Sequence, residues 1–410
     1  MSRLVGAFAL VLLAVLFLLS LRAWEALPMS RRPLIEEKYA GWSGVLRVWV
    51  CLEWATGRGS PAAWLNACAA GFEKTHPGVY IQPQAVDAGA IRALGESGVN
   101  PPDMLLFSPG LLERPDHLAP LVPEAVLRPP LAASGVAGGT TYAVPVAMGG
   151  YGWAYDRGKL PSLPDSWAEA EVIPAVPADE PGRCWSAAAL ALCSGLSPGE
   201  EVRPAPPGLD LGLPEALPAP SPGAEPAEGG APCRLPGDVP RPSDAYAAFV
   251  SGEVTATAVG PEELARLGRL ADSGRGPDWA LEVTGRYALA DQLALMAVVD
   301  WPRSDLRERQ ELCRAFLEHL LSEGSQKALG RYGALSVAAG MEVYEGRSVP
   351  ALLERGLAGK ELLAAPAFGR GWRVQAEAAL ARFLSGELDA RQALAEIPGL
   401  IREKPEHSAR

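Results

Sequence analysis

The segment Thr140 to Lys159, TTYAVPVAMGGYGWAYDRGK, decides the fold prediction for this chain. It begins with a short β-prone run, passes through a pair of glycines, and then places an aromatic residue at every second position. Because side chains of an extended strand alternate between its two faces, three rings are predicted to share one face: Tyr151, Trp153 and Tyr155. This pattern fits a core strand, and it also fits an aromatic ligand platform beside a flexible glycine turn.

The same segment resembles a passage of the bacterial extracellular solute-binding proteins of ABC importers, in the family of the maltose- and oligosaccharide-binding proteins. In that family the chain first crosses between two lobes here, through a Tyr-x-x-Pro run, a short polar hinge, a Tyr-Asn or Tyr-Asp strand end, Leu-Pro, and a Pro-x-Thr-Trp helix start. The matching residues occur in the same order and spacing: Tyr142, Pro145, Tyr155-Asp156, Leu160-Pro161 and Pro164-Asp165-Ser166-Trp167. The resemblance implies a two-lobed α/β fold.

Further blocks extend the resemblance over most of the chain between Val45 and Ile397. Residues 72–81, FEKTHPGVYI, are similar to the passage into the family's second strand, and residues 249–264, FVSGEVTATAVGPEEL, are similar to its second hinge. Residues 325–337 resemble a helix and a Gly-x-Leu-Pro-Val strand, with Ser336 in place of the proline. Residues 197–241 depart from the family because they are rich in proline and glycine, which predicts a long irregular excursion.

From Gly44 the chain alternates strands and helices, which is typical of an α/β domain. Met104 to Phe107 is a predicted strand, and helices are predicted to begin at Ser60-Pro61 and at Pro261, where serine can cap a helix and proline fits its first turn. The first of these helices has apolar residues at helical spacing: Trp64, Leu65, Cys68 and Phe72.

Together with the resemblance, the order of strands and helices predicts a periplasmic-binding-protein-like fold with three interlobe crossings, near residues 143–148, 257–261 and 320–324. The N-terminal lobe is predicted to contain residues 44–146 plus 258–322. The C-terminal lobe is predicted to contain residues 147–257 plus 323–402, including the excursion at 197–241.

Residues 1–40 are predicted to form an N-terminal signal-anchor helix and a juxtamembrane linker. The run Leu4 to Leu21 is uninterrupted by polar or charged residues until its last turn, and about 18 apolar residues are enough to span a bilayer. Cleavage after Ala23 or Ala26 would place Leu21 or Trp24 where a signal peptidase requires a small residue. We therefore favour an uncleaved membrane anchor over a cleaved signal peptide, with the remaining chain extracytoplasmic, or secreted if cleavage occurs.

Charge and cysteine usage narrow the choice of partners and cofactors. A net charge of −11 and a pI near 5.1 argue against a nucleic-acid partner, which requires clustered Lys and Arg. The six cysteines permit disulfides but specify no pairing, and Cys68 and Cys313 are interpreted as buried helical residues. Since no nucleotide-binding motif occurs and no histidine lies at metal-ligand spacing from a cysteine, we predict neither a metal nor another cofactor.

Candidate catalytic motifs fail on physical grounds. Residues 195–199, GLSPG, match the Gly-x-Ser-x-Gly nucleophile elbow, but Pro198 lacks the backbone N–H that the oxyanion hole of such an elbow needs. The four histidines are scattered along the chain and none is paired with a nucleophile: His76, His117, His319 and His407. We therefore predict a protein without catalytic residues. An envelope hydrolase would require an acid–base pair that the sequence does not reveal.

Ligands of open α/β sheets lie beyond the carboxyl ends of the strands, which places Glu53, Trp54 and Ser108 near an interlobe cleft. We predict that Trp54, Tyr151 and Trp153 stack on a sugar and that Glu53 and Ser108 form hydrogen bonds with it. The resemblance implies capture of a small polar solute, in the first place a carbohydrate, for an ABC importer with permease subunits as partners. The alternative is a membrane-anchored, degenerate solute-binding fold that acts as an envelope sensor or scaffold.

Overall fold

A computed structural model of the chain describes residues 42–96, 100–163, 174–175, 245–285, 287–344 and 349–369, together with parts of the C-terminal segment: residues 372, 375–376, 378–379, 382–383, 387–397 and 401–402. The predicted N-terminal anchor, the proline-rich excursion, the Gly-x-Ser-x-Gly motif and three of the cysteines lie outside these residues. Within the described part of the chain, no helix combines the length and apolarity needed to cross a membrane.

Strands and helices alternate from Gly44 to Ala133, as the sequence predicts, whereas the rest of the described chain also contains successive strands and successive helices. The strands are β1 (Gly44–Cys51), β2 (Val79–Ala85), β3 (Met104–Phe107), β4 (Val136–Ala137), β5 (Thr140–Thr141), β6 (Val144–Met148), β7 (Gly152–Asp156), β8 (Pro174–Ala175), β9 (Ala256–Val259), β10 (Trp279–Glu282), β11 (Tyr287–Ala290), β12 (Leu293–Val298), β13 (Glu361–Ala364) and β14 (Ile401–Arg402). The helices are α1 (Pro61–Thr75), α2 (Ala88–Arg92), α3 (Pro129–Ala133), α4 (Ala245–Ser251), α5 (Pro261–Asp272), α6 (Leu306–Leu321), α7 (Glu323–Ala328), α8 (Val349–Ala358) and α9 (Ala390–Glu396).

The first sheet has five strands in the order β2-β1-β3-β12-β6. Strand β1 pairs in parallel with both β2 and β3, whereas β12 runs antiparallel between β3 and β6. The inner strands β3 and β12 are buried along their whole length, and β1 is buried from Val48 to Cys51. We call the part of the chain built on this sheet the first lobe.

Local sequence signals account for the helix that follows β1. Ser60 caps α1 by accepting a hydrogen bond from the backbone N–H of Ala63, and a proline occupies the first helical turn, as predicted. The predicted apolar face is confirmed, since its residues are at most 5% exposed: Trp64, Leu65, Cys68 and Phe72. Cys68 and Cys313 are free, buried thiols on helices, and burial raises the pKa of Cys68 to about 11.

A second sheet, in the order β10-β7-β9-β8, defines the second lobe. Here β7 pairs antiparallel with both β9 and β10, so the strand predicted to carry the aromatic face is an inner strand of this sheet. A third sheet, β11-β13-β14, packs against the rest of the molecule, and β4 and β5 form a short hairpin before β6.

Strand pairing corrects the predicted position of the second crossing. The sequence assigns residues 258–322 to the first lobe, with the return near residues 257–261. However, β10 pairs with β7 in the second sheet, and the chain re-enters the first sheet only at Leu293, so this change of sheet falls between Ala290 and Leu293. The predicted position was wrong because Gly260-Pro261 is the start of a helix. A local motif of this kind begins a helix but does not determine which sheet the next strand joins. The division into lobes otherwise stays a prediction.

A buried glutamine joins the edge strand of the first lobe to the segment after α7. Gln326 has no exposed surface, and its amide nitrogen donates hydrogen bonds to the backbone carbonyls of Val146 (2.8 Å) and Leu320 (2.9 Å). Its amide oxygen accepts from the Ser336 hydroxyl (2.8 Å) and from the Val337 backbone N–H (3.3 Å). The full hydrogen-bonding capacity of this side chain is therefore used, which fixes β6 just before the chain leaves the first sheet.

Candidate functional site

Three of the predicted binding residues lie together at the carboxyl edge of the first sheet. Glu53 and Trp54 follow β1, Ser108 follows β3, and the Ser108 hydroxyl accepts a hydrogen bond from the Glu53 backbone N–H at 2.9 Å. The Trp54 indole N–H donates to the carbonyl of Leu293 at 3.2 Å, so the loop after β1 contacts the start of β12. The parallel pairing of β1 and β3 explains this grouping, because their carboxyl ends meet at one edge.

The two predicted aromatic residues of the crossing are buried. Tyr151 is 5% exposed and its hydroxyl donates to a carboxylate oxygen of Asp291 at 3.0 Å. Trp153 has no exposed surface and lies on β7 between β9 and β10. Its ring therefore offers no face to a ligand in this conformation, and the pattern in this strand reflects core packing in the second lobe. Stacking by Trp153 does not fit this placement, whereas contact of a ligand with Tyr151 stays a prediction.

The glycine pair before β7 leaves no empty space for a ligand. A Cβ atom on Gly149 would lie 2.2 Å from the side-chain oxygen of Gln292, and one on Gly150 would lie 2.5 Å from a methyl carbon of Leu357. Gln292 also binds the backbone here, accepting from the N–H of Gly150 at 2.9 Å and, through its carbonyl, from that of Gly149 at 2.8 Å. Both glycines are thus required for the close approach of the two crossing segments, residues 149–151 and 291–292.

Asp291 is the residue of this region that sequence reasoning missed. Its Oδ2 atom accepts from Tyr151, while its Oδ1 atom has no accessible surface and no hydrogen-bond partner. Burial raises the pKa of Asp291 to about 6, and burial followed by the nearby Asp291 charge raises the pKa of Tyr151 well above its usual value. One sequence signal marks the position: Asp291-Gln292 is a polar pair inside the otherwise apolar run from Tyr287 to Val299.

Backbone contacts close the space between the loop after β1 and the second lobe. A Cβ atom on Gly57 would lie 2.7 Å from the carbonyl oxygen of Pro261, at the start of α5. A Cβ atom on Gly333 would lie 2.6 Å from the Cα of Gly57, and Gly333 has a φ of 74°, a conformation that strongly favours glycine. The Arg58 N–H donates to the Tyr332 carbonyl at 2.9 Å. In this conformation the chain itself fills the space next to Gly57.

The Asp291 side chain is half-buried, but its Oδ1 atom is shielded from solvent, and this desolvation predicts a pH-dependent contribution of Asp291 to stability. Since its folded-state pKa of about 6 lies above the ordinary 3.8, the folded protein binds this proton more tightly than the unfolded chain does. The contribution of the protonated form is fully present below about pH 4 and is lost as the pH rises through 6, a difference of roughly 3 kcal/mol. Asp291→Asn is therefore expected to stabilise the protein relative to wild type at pH 8 but not at pH 4, as measured by urea unfolding across this range.

The matched control for this prediction is Asp300→Asn, because Asp300 follows the same strand, β12, at its opposite end and is exposed. Its stability difference from wild type should change little between pH 4 and pH 8. A stability difference for Asp291→Asn that is equally flat over this range contradicts the assigned burial of the charge.

Comparison with known proteins identifies the fold. No protein-family model matches the sequence, and no curated protein matches it in sequence. Among solved structures, the GacH receptor of Streptomyces glaucescens GLA.O, known unliganded and in complex with acarbose, is similar with a TM-score of 0.56 at 19% identity, over 87% of this chain and 97% of that one.

Two further structures show the same similarity. A chitin oligosaccharide binding protein has a TM-score of 0.54 at 14% identity, over 87% of this chain and 97% of that one. The maltose-maltodextrin binding protein of Alicyclobacillus acidocaldarius has a TM-score of 0.54 at 15% identity, over 86% of this chain and 98% of that one. The chain therefore has the two-lobed α/β fold of the sugar-binding extracellular solute-binding proteins, as the sequence resemblance predicts. These neighbours are described as a receptor and as binding proteins.

Proposed function

We propose that this chain is an extracytoplasmic solute-binding protein that captures a carbohydrate between its two lobes and presents it to the permease subunits of an ABC importer. One observation carries this proposal: the fold matches three proteins described as receptors or binding proteins for acarbose, chitin oligosaccharides and maltodextrins, over 97–98% of their lengths. The proposal includes the N-terminal segment as the membrane anchor and assigns the chain no catalytic residues.

The carboxyl edge of the first sheet supplies suitable chemistry for a sugar. Trp54 is half-buried, so part of its ring remains available to pack against the apolar face of a pyranose. Glu53 is exposed beside it and its carboxylate can accept hydrogen bonds from sugar hydroxyls. Ser108 is 4% exposed and holds the Glu53 backbone, which positions the loop that carries both side chains. Ligand entry requires the contacts around Gly57 to separate, and closure around the ligand restores them.

Replacement of Trp54 by alanine tests the site. The purified full-length chain is screened by thermal unfolding with mono- and oligosaccharides, and a ligand at 100 times its Kd should stabilise wild type by about 2.7 kcal/mol. In Trp54→Ala we expect this ligand-induced stabilisation to disappear at the same ligand concentration, because the stacking surface is gone. The assignment of Trp54 is wrong if the variant retains the full shift.

Trp301→Ala is the matched control for that experiment. Trp301 is also half-buried, but it contacts His117 at the opposite end of the first sheet, 5.3 Å between ring centroids. Its replacement should lower the melting temperature without ligand and leave the ligand-induced shift intact. A loss of the shift in both variants indicates general destabilisation and not a binding contact.

A second candidate function rests on the hydrogen bonds that the predicted site residues form within the chain. The Ser108 hydroxyl, the Trp54 indole N–H and the Tyr151 hydroxyl all hydrogen bond within the chain. A cleft filled by its own groups favours an anchored sensor or scaffold that binds a protein partner without a solute. A well-folded sample that gains no stability from any sugar, amino acid or polyamine would support this function over transport.

A further inference from the structure

The two crossing segments enclose a carboxylate whose hydrogen bonding is incomplete. Asp291 lies between β11 of the third sheet and β12 of the first sheet, and one of its two carboxylate oxygens, Oδ2, accepts a hydrogen bond from the Tyr151 hydroxyl. The other, Oδ1, is shielded from solvent and has no partner. Leaving a buried carboxylate oxygen unsatisfied is costly, so a residue of this kind at the centre of a ligand-binding fold points to a partner supplied from outside the chain.

A second carboxylate lies beside the same crossing segments. Glu263, in the first turn of α5, accepts a hydrogen bond from the backbone N–H of Gly260 at 3.0 Å. A Cβ atom on Gly260 would lie 3.3 Å from Oε2 of Glu263 and 3.5 Å from Nε2 of Gln292, so this carboxylate lies near Gln292, and its charge contributes to raising the pKa of Tyr151. Among the described residues, the ion pairs involve neither Asp291 nor Glu263. The neighbouring polar group, the Gln292 side chain, is neutral and its oxygen is bonded to Gly150. Negative charge here is therefore not balanced by a lysine or arginine of the described chain.

An aromatic ring contacts the start of β12, two residues after Asp291. The hydrogen bond from the Trp54 indole to the Leu293 carbonyl brings the half-buried ring to within two residues of Asp291 along the chain. An indole face attracts cations through its quadrupole, and a carboxylate beside it adds an ion pair. Trp54 with Asp291 and Glu263 thus combines the two groups that recognise an ammonium ion, whereas a neutral sugar requires only hydrogen-bond donors and acceptors.

We propose that the interlobe site selects an amine-bearing carbohydrate, with the ligand's ammonium group bound between Asp291 and Trp54 and with Glu263 as a supporting charge. This inference rests on the proposed carbohydrate-binding function and specifies its ligand class. The ammonium group supplies the missing hydrogen-bond donor for Oδ1 and the counter-charge for the pair of carboxylates. Because Oδ1 is shielded in this conformation, the ligand reaches it when the lobes open, and closure then buries the ion pair.

The test compares two sugar trimers that differ only in whether their amino groups are acetylated. Binding of the N-acetylglucosamine trimer and of the glucosamine trimer to the full-length chain is measured by calorimetry at a pH where the free amine is protonated, with spermidine as an amine that carries no sugar. We expect the glucosamine trimer to bind at least about 10-fold more tightly than the acetylated trimer. Asp291→Asn should weaken the glucosamine trimer about 100-fold, as expected when one partner of a buried charge pair is removed, and should change the acetylated trimer little.

Two further variants keep the result interpretable. Glu263→Gln retains an oxygen to cap Gly260 and is expected to reduce the preference for the amine by a smaller factor than Asp291→Asn. Asp300→Asn, at the far end of β12, should leave both affinities unchanged. Both replacements of the acidic residues conserve shape and one acceptor oxygen, so we expect both variants to fold. Circular dichroism checks their folding before binding is compared.

The possible outcomes separate the inference from the function on which it rests. Equal affinities for the two trimers, or tighter binding of the acetylated one, overturns the amine preference and leaves carbohydrate binding standing. Binding of spermidine alone overturns the carbohydrate part of both proposals. No binding of any sugar contradicts the proposed function together with this inference, and retention of the amine preference in Asp291→Asn removes Asp291 from the site.

Discussion

Gln326→Met is expected to lower the free energy of unfolding by about 4 kcal/mol. Methionine has a similar length but forms no comparable hydrogen bonds, so buried partners on both sides of the amide lose their contacts: the carbonyls of Val146 and Leu320, the Ser336 hydroxyl and the Val337 N–H. Each buried polar group left unsatisfied costs about 1–3 kcal/mol. Urea unfolding followed by circular dichroism measures the loss.

The same substitution at a half-buried glutamine provides the comparison. Gln310 on α6 is half-buried and makes a solvent-exposed hydrogen bond with Asp300, so Gln310→Met should change stability by less than about 0.5 kcal/mol. If Gln326→Met is as mild as this control, the interior around Gln326 accommodates methionine or admits water, and the glutamine does not hold β6 in place as we infer.

Gly135→Ala is expected to destabilise the protein by at least about 3 kcal/mol or to prevent folding. A Cβ atom on Gly135 would lie only 1.7 Å from the carbonyl oxygen of Ala143, and the obstructing atom belongs to the backbone. The Gly135 carbonyl also accepts hydrogen bonds from the N–H groups of Tyr142 and Ala143, so the two segments cannot separate without losing these contacts. This clash lies directly before β6, and chemical denaturation of the purified variant measures it.

Gly324→Ala is the control for this substitution because nothing lies within 4 Å of the added methyl group and the residue is inside α7. Alanine should stabilise a helix at such a position by up to about 1 kcal/mol relative to glycine. Equal effects at the two positions would show that chain entropy, and not the contact with Ala143, controls the response to alanine at Gly135.

Local signals in the sequence are sufficient to predict many of the helices and strands of the first lobe. The Ser60-Pro61 helix start, the apolar face around Trp64 and the strand Met104 to Phe107 are confirmed at or within one residue of their predicted positions. Each depends on interactions between residues that are close in sequence, or on a period that burial alone imposes. The blocks that resemble the solute-binding proteins fixed the order of these elements, and the structural similarity confirms the fold.

The second crossing shows where local signals fail. Gly260-Pro261 was correctly predicted to begin a helix, but the chain changes sheet only between Ala290 and Leu293. Whether a strand pairs with β7 or with β3 depends on contacts between residues more than a hundred positions apart. The local sequence of a strand does not specify which of these partners it has.

The sequence alone determined that this chain alternates strands and helices, resembles a two-lobed solute-binding protein, and carries polar and aromatic residues at the carboxyl ends of β1 and β3. Only the tertiary structure decided which of those residues remain available. It buries Trp153 between two neighbouring strands and brings Asp291 against Tyr151, 140 residues away. The physical reason is that alternation along a strand indicates which side chains share a face, whereas their burial and charge pairing depend on the segments that pack against that face.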